Sequence, residues 1–279
     1  MLELRRLKFA YRKGAEALTN ASASIGGGVY LLLGENGAGK TTLLHLMAGL
    51  LYPGSGECLL NGDPIAARRP SDMQRIFFLG DNMPFPGRTI DEFVKMHAQF
   101  FPTFDPQLLA DILGRFGINP AERLDGMSLG TRKKAQLAYA LSLRTQVLLL
   151  DEPANGLDIS SKKLLQEIIV ENITEEQTII VSTHTVWDFK NLFDGLLVLN
   201  HGQLLVASTV DEILGRIAFV SASEPPVGAL YIERVAGRFN AIVKNDGDTD
   251  TDTDIDYVLL YSALMNADAR DNIVKLLND

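Results

Sequence analysis

Gly34-Glu35-Asn36-Gly37-Ala38-Gly39-Lys40-Thr41 is a glycine-rich stretch between two segments of regular pattern. Before it, Val29-Tyr30-Leu31-Leu32-Leu33 is an unbroken apolar run and reads as a buried strand. After it, Thr42 to Leu50 reads as a helix that stops near Gly49. The stretch fits the spacing G-x-x-x-x-G-K-[ST], and strand, turn, helix is the context this spacing needs. Glycines let the backbone curl so that successive N–H groups face one anion. The helix adds roughly half a positive charge at its N-terminus. Lys40 can then reach the β- and γ-phosphates of a nucleotide, and the Thr41 hydroxyl can ligate Mg²⁺. Gly34 to Thr41, together with Thr42, are therefore candidate nucleotide contacts. Taken alone, the stretch could also be a plain glycine turn with a solvated Lys40. A dinucleotide fingerprint is not met, because Thr42 stands where G-x-G-x-x-G needs its third glycine.

The bulk composition narrows the class. The chain has 279 residues, a length for one or two domains, and is 46% hydrophobic, enough for a proper core. No apolar run approaches the ~20 residues of a membrane span. The first residues carry Glu3, Arg5, Arg6 and Lys8 with no apolar stretch, so no signal peptide is expected. Cys58 is the single cysteine; it excludes an internal disulfide, fits a reducing cytoplasm, and reads as inert core. The net charge of −9 disfavours a nucleic-acid binder, which usually carries a basic field.

Along the chain, Leu2 to Phe9 and Ala21 to Ile25 read as strands. Glu57 to Leu60 is strand-like, and Asn61-Gly62 is a hairpin-type turn. Gln74 to Leu79 is a short apolar run, and Gly80 to Arg88 is loop. Helical spacing follows from Thr89, through Ile90, Phe93, Val94, His97 and Phe101. Asp105-Pro106 opens a second helix, Asp as cap and Pro in the first turn. These two helices form an insertion from about 85 to 127, or to about 140 with the start of the next helix. That helix is expected over Ser128–Leu143. A buried strand at Val147–Asp151, a helix at Ser160–Ile173 and a strand at Thr178–Ser182 follow. A hairpin turns at His201-Gly202, and Val210–Ile217 closes the unit as a short helix. Strands alternating with helices imply a mostly parallel sheet covered on both faces. Beyond residue 217, a hairpin (Ala229–Val235, Phe239–Lys244), a polar Asp/Thr tract and a helix at Asp256–Asn266 are expected. The tract places aspartates at every second position from 246 to 256, but an EF-hand loop needs Glu at its twelfth position. Counts from Asp248 and Asp250 reach Leu259 and Tyr261 instead, so a solvated acidic loop is the expectation.

Val147-Leu148-Leu149-Leu150-Asp151-Glu152 carries the second half of the chemistry. Four apolar residues ending in two acids describe a buried parallel strand whose carboxyl end faces a ligand. Asp151 is the candidate Mg²⁺ ligand, and Glu152 the candidate that addresses an attacking water.

Phosphate loop, apolar strand with two acids, and the spacing between them make the chain resemble the ATP-binding subunits of ATP-binding cassette (ABC) transporters, over about residues 2–217. The resemblance implies a P-loop NTPase-type α/β fold: a mostly parallel sheet with an antiparallel β subdomain and a helical insertion. Here a small α+β C-terminal extension, 218–279, would be added to an ATP-binding domain at 1–217. Met127-Ser128-Leu129-Gly130-Thr131 stands where the family has its Leu-Ser-Gly-Gly-Gln signature, without the first Gly and the Gln. By resemblance, Ser128 and Gly130 contact the γ-phosphate of ATP held on a second subunit; otherwise Ser128 is an ordinary helix cap. Asn155-Gly156-Leu157-Asp158 corresponds to the loop that communicates across the dimer. His184 corresponds to the switch histidine at the γ-phosphate, and Tyr11 to the aromatic residue stacked on adenine. The family's glutamine near the metal is missing; Asp81 or Asn82 stands near its position, and Asp81 is the candidate third oxygen for the metal.

The resemblance further implies ATP and Mg²⁺ as cofactors, with Glu152, His184 and Lys40 in catalysis. It implies a homodimer or heterodimer of ATP-binding subunits, a separate transmembrane permease subunit as partner, and no direct nucleic acid. The protein would sit in the cytoplasm against the inner face of the membrane, held through its partner. Transport, most similar to bacterial efflux-type systems, would be the function. The insertion and the loop at 80–88 are the expected docking surface. Two other readings remain at this stage. One is a soluble ABC-type ATPase acting on ribosomes or DNA. The other is a non-hydrolysing regulatory module, suggested by the altered signature and Asp81.

Overall fold

The computed structural model describes residues 1–12, 14, 16–81, 86, 88–184, 192–245 and 254–278. The chain opens with β1 (Leu2–Ala10), β2 (Glu16–Ile25) and β3 (Gly28–Leu33), and α1 (Lys40–Met47) follows the glycine loop. Gly39 caps α1 with φ 107°, a left-handed backbone that glycine adopts freely, so the helix starts two residues before Thr42. Next come β4 (Ser55–Leu60), β5 (Asp63–Pro64), the short α2 (Pro70–Met73) and β6 (Ile76–Leu79). The insertion holds α3 (Ile90–His97) and α4 (Pro106–Arg115) and leads into α5 (Leu129–Ser142). Asp105 caps α4 as its sequence indicates, accepting from the Gln107 and Leu108 amides at 2.9 and 3.0 Å. His97 Nδ1 and the Tyr139 hydroxyl, 2.6 Å apart, tie the insertion to α5. The α/β alternation resumes with β7 (Val147–Asp151), α6 (Ile159–Asn172) and β8 (Thr178–Ser182). The hairpin of β9 (Gly195–Asn200) and β10 (Gln203–Thr209) and the short α7 (Val210–Leu214) complete this part.

Ten strands form one sheet in the order β5-β4-β1-β2-β10-β9-β3-β8-β7-β6. From β9 to β6 every neighbouring pair is parallel. β1, β2, β4 and β5 pair antiparallel and form the expected β subdomain. β7 and β8 are buried at every residue, which is why they read as unbroken apolar runs. β3 alternates between two cores: Val29, Leu31 and Leu33 join one, Tyr30 and Leu32 the other.

The C-terminal part departs from expectation in two places. The helix expected over Val210–Ile217 stops at Leu214, and Ile217 opens a strand, β11 (Ile217–Ala222). β11 pairs with β13 (Arg238–Lys244), which also pairs with β12 (Tyr231–Val235), so three strands replace the expected hairpin. The backbone leaves the helix at Gly215, and Ile217 and Ala218 are then buried on the new sheet. α8 (Tyr257–Met265) stands where a helix was expected, capped by Asp256. A further helix, α9 (Ala267–Asn278), ends the described chain; Asn266 Oδ1 accepts from the Asp268 and Ala269 amides at its start. Ile242, Leu260 and Ile273 of this part share one apolar cluster with Val29, Leu31 and Leu205 of the main sheet. The aspartates from 246 to 252 lie outside the described residues.

Candidate nucleotide site

Parallel strands bring their carboxyl ends to one edge of a sheet, where ligands of open α/β sheets bind. Here β3, β8, β7 and β6 are neighbours in that order, with Leu32 opposite Ser182 and Asp151 opposite Ser182. The glycine loop, the Asp151-Glu152 pair, Thr183-His184 and Gly80-Asp81 therefore meet at one edge.

The loop is shaped by close approach as well as by φ. A Cβ on Gly34 would stand 2.4 Å from the Leu199 carbonyl oxygen, and one on Gly39 would stand 2.6 Å from that of Ala17. Neither position admits a side chain without moving backbone. Gly34 and Ala38 build the loop from within, Ala38 being buried and accepting from the Gly202 amide at 3.0 Å. Lys40 is buried, and its Nζ donates to the Gly34 and Glu35 carbonyls at 2.6 and 3.2 Å. Burial lowers its pKa, while the nearby carboxylates of Glu152 and then Asp151 work in the opposite direction.

Thr41 Oγ1 donates to Asp151 Oδ2 at 2.7 Å, and the Ser182 hydroxyl donates to Asp151 Oδ1. Asp151 is thus fixed from both sides at the end of β7. Glu152, next in the chain, has φ 48°, a left-handed conformation costly for a residue with a Cβ. Its amide donates to the Ser182 carbonyl at 3.0 Å, and its Oε1 lies 3.0 Å from His184 Nδ1.

A cavity of about 460 Å³ opens between these elements. Its wall includes Glu35, Asn36, Gly37 and Gly39 of the loop, Lys40, Thr41 and Thr42 of α1, and Asp151 and Glu152 of β7's end. Tyr11 stands at its rim, half exposed, with its hydroxyl 3.1 Å from Thr42 Oγ1 and its ring edge-on to Phe9. Asp81 lines the far side and pairs with Lys133 Nζ of α5 at 3.3 Å. Asn82, the other candidate there, lies outside the described residues. His184 reaches the cavity through Glu152.

Ser128, Gly130 and Asp158 gather at a second place. Ser128 caps α5, accepting from the Thr131 amide at 3.1 Å. Asp158 caps α6, and Lys134 Nζ of α5 pairs with it at 3.1 Å. The Ser160 hydroxyl, the Ser161 amide and hydroxyl, and then Lys134 hold the Asp158 carboxyl well below the usual carboxylate range. A Cβ on Gly130 would stand 3.0 Å from the Gly156 carbonyl oxygen, so the starts of the two helices touch. Beside them Leu129 and Ile159, large and apolar, are 84% and 87% exposed. α5 begins at Ser128, and the start of a helix is suited to an anion.

Three contributors escaped the sequence reading: Ala17, Ser182 and Lys133. Ala17 lines the cavity with an unremarkable side chain, and Lys133 lies 52 residues from the Asp81 it pairs with. Ser182 had a signal, since it ends an apolar strand parallel to β7.

Comparison with known proteins agrees with this architecture. A family model described as ABC transporter matches residues 18–155. The chain is 30% identical over 210 residues to the ABC transporter ATP-binding protein NatA of Bacillus subtilis, covering 72% of this chain and 85% of that one. It is also 30% identical to the thiamine import ATP-binding protein ThiQ of Photobacterium profundum, covering 77% of this chain and 95% of that one. The solved structure of cbiO1 from Clostridium perfringens, part of the ABC transporter complex cbiONQ, superposes with TM-score 0.62. It is 27% identical, covering 76% of this chain and 90% of that one. A loop built for phosphates beside a strand ending in two acids defines a P-loop nucleotide hydrolase. The chain belongs to the ATP-binding, ATP-hydrolysing subunits of ABC transporters. Among the described residues no helix is long and apolar enough to cross a membrane.

Proposed function

We propose that the cavity between the glycine loop and the end of β7 holds ATP with Mg²⁺, and that its hydrolysis drives a separate membrane permease. The supporting observation is the direct 2.7 Å contact of Thr41 and Asp151 in a cavity also lined by Lys40 and Glu152. The donors fit the metal: a hydroxyl and carboxylates are hard oxygen ligands. Mg²⁺ usually takes one or two carboxylates and completes its shell with phosphate oxygens and water. Thr41 and Asp151 would hold it, with Asp81 as a further oxygen at the edge. Bound there, it would offset charge on the β- and γ-phosphates.

In this reading the loop amides and Lys40 hold the phosphates, and the Tyr11 ring faces the base. Glu152 accepts the proton of the attacking water, and His184 holds that carboxylate in place and steadies the γ-phosphate. Ser128, Gly130 and Asp158 serve the nucleotide of a second ATP-binding chain, alike or unlike. The exposed Leu129 and Ile159 beside them support a contact there. Residues 1–217 form the ATP-binding domain and 218–279 an extension. The insertion meets the permease, which would hold the chain at the cytoplasmic face of the membrane.

The likeness to efflux-type cassettes supports export, and the thiamine-import relative speaks for the reverse. Uptake into vesicles of defined orientation decides between them. For the function itself, the tagged chain should co-purify with an integral membrane protein that stimulates its ATPase activity; co-purification with ribosomes instead would overturn the transport reading.

One variant separates the two places of the site. Ser128→Ala is expected to cost about 1 kcal/mol of stability through the lost cap. It should leave ATP binding by the single chain unchanged and lower turnover of the assembled transporter. Loss of nucleotide binding by the single Ser128→Ala chain, measured by fluorescence titration, would contradict this division of labour.

A further inference from the structure

Among the described residues the buried charged side chains are Lys40, Asp72, Lys133 and Asp151. Lys40 and Asp151 line the nucleotide cavity, and Arg69 meets Asp72 at 2.8 Å. Lys133 of α5 is the buried charge to which the site as described gives no task. It does not line the cavity, but Asp81 does. Lys133 Nζ lies 3.3 Å from Asp81 Oδ1 and 3.5 Å from the Asp81 backbone carbonyl oxygen. Taking an ammonium out of water is costly unless an opposite charge meets it, and methionine would fill a similar volume without that cost. Both distances exceed the usual N–H···O range, so the contact carries charge more than a directed hydrogen bond.

The cavity wall shows why a further positive charge matters. Its acids are Glu35, Asp81, Asp151 and Glu152, and Lys40 is the one ammonium set against them. A triphosphate is itself an anion, so each carboxylate left unneutralised opposes its entry. The Thr41 and Ser182 hydroxyls donate to Asp151, and His184 meets Glu152. Asp81 is met by Lys133. A carboxylate has two oxygens, so one can meet Lys133 while the other serves the cavity. We propose that Lys133 is a positioning residue of the nucleotide site that acts through Asp81. From outside the cavity it neutralises that carboxylate, and Asp81 can then offer the metal an oxygen without repelling the phosphates.

This inference rests on the nucleotide site proposed above, and the test keeps the two apart. The full-length chain is compared with Lys133→Met, Lys133→Gln and the double variant Lys133→Met with Asp81→Asn. Each is titrated with a fluorescent ATP analogue and Mg²⁺, a readout independent of turnover. Lys133→Met and Lys133→Gln should each bind the analogue about three- to tenfold more weakly, the size of one partly screened charge near the phosphates. The double variant restores the charge balance and should bind more tightly than Lys133→Met, within about threefold of the wild type. Wild-type affinity in Lys133→Met or Lys133→Gln overturns the proposal. So does a double variant that binds as weakly as Lys133→Met, which would mark the lysine as packing alone. A wild-type chain that fails to bind the analogue overturns the nucleotide site instead.

Discussion

Glu152→Gln is expected to bind ATP as the wild type does and to turn it over about 10²–10⁴ times more slowly, the range for loss of a positioned base. The reason is local. Glu152 lines the cavity, one residue beyond the Asp151 that Thr41 and Ser182 fix, and His184 holds its carboxylate at 3.0 Å. Glutamine keeps the size and the contact but cannot take a proton at neutral pH. In the proposed reading ATP favours a closed dimer, so a chain that binds without hydrolysing should accumulate as a dimer. Single-turnover hydrolysis and size-exclusion chromatography with ATP check both parts. Wild-type turnover in Glu152→Gln would remove Glu152 from the role of base.

Lys40→Met is expected to lose nucleotide affinity by roughly 10–100-fold, the scale of one or two charge-assisted hydrogen bonds. Lys40 is buried, so its charge acts with little screening, and burial already disfavours its charged form. Methionine fills a similar volume but leaves the Gly34 and Glu35 carbonyls without the donor they now have. Unlike Glu152→Gln, this variant should show little dimer at ATP concentrations that saturate the wild type, because it binds the nucleotide more weakly. Equilibrium titration with a fluorescent ATP analogue measures the loss. Unchanged affinity would mean that Lys40 serves the loop rather than the phosphates.

Much of the parallel sheet was legible because its signals are local. Val29–Leu33, Val147–Asp151 and Thr178–Ser182 are short apolar runs with polar ends, and β7 and β8 begin and end where those runs do. Caps were equally legible, since Asp105 and Ser128 each act within three residues of themselves. The glycine loop could be read because close approach leaves no alternative at Gly34 and Gly39. β11 could not. Ile217-Ala218-Phe219-Val220 continues a helical apolar pattern, and only its pairing with β13 makes it a strand. Lys133 and Ser182 were missed for a related reason. Their partners, Asp81 and Asp151, are remote in sequence, and nothing near Lys133 sets it apart from Arg132 and Lys134.

The most direct test is a crystal structure of the chain grown with a non-hydrolysable ATP analogue and Mg²⁺. The γ-phosphate should lie within hydrogen-bond reach of Lys40 Nζ. The metal should sit at Thr41 Oγ1 and the Asp151 carboxylate, and Glu152 should face the water beyond the γ-phosphate. An analogue bound elsewhere, or phosphates remote from a Lys40 still donating to the Gly34 and Glu35 carbonyls, would contradict the account.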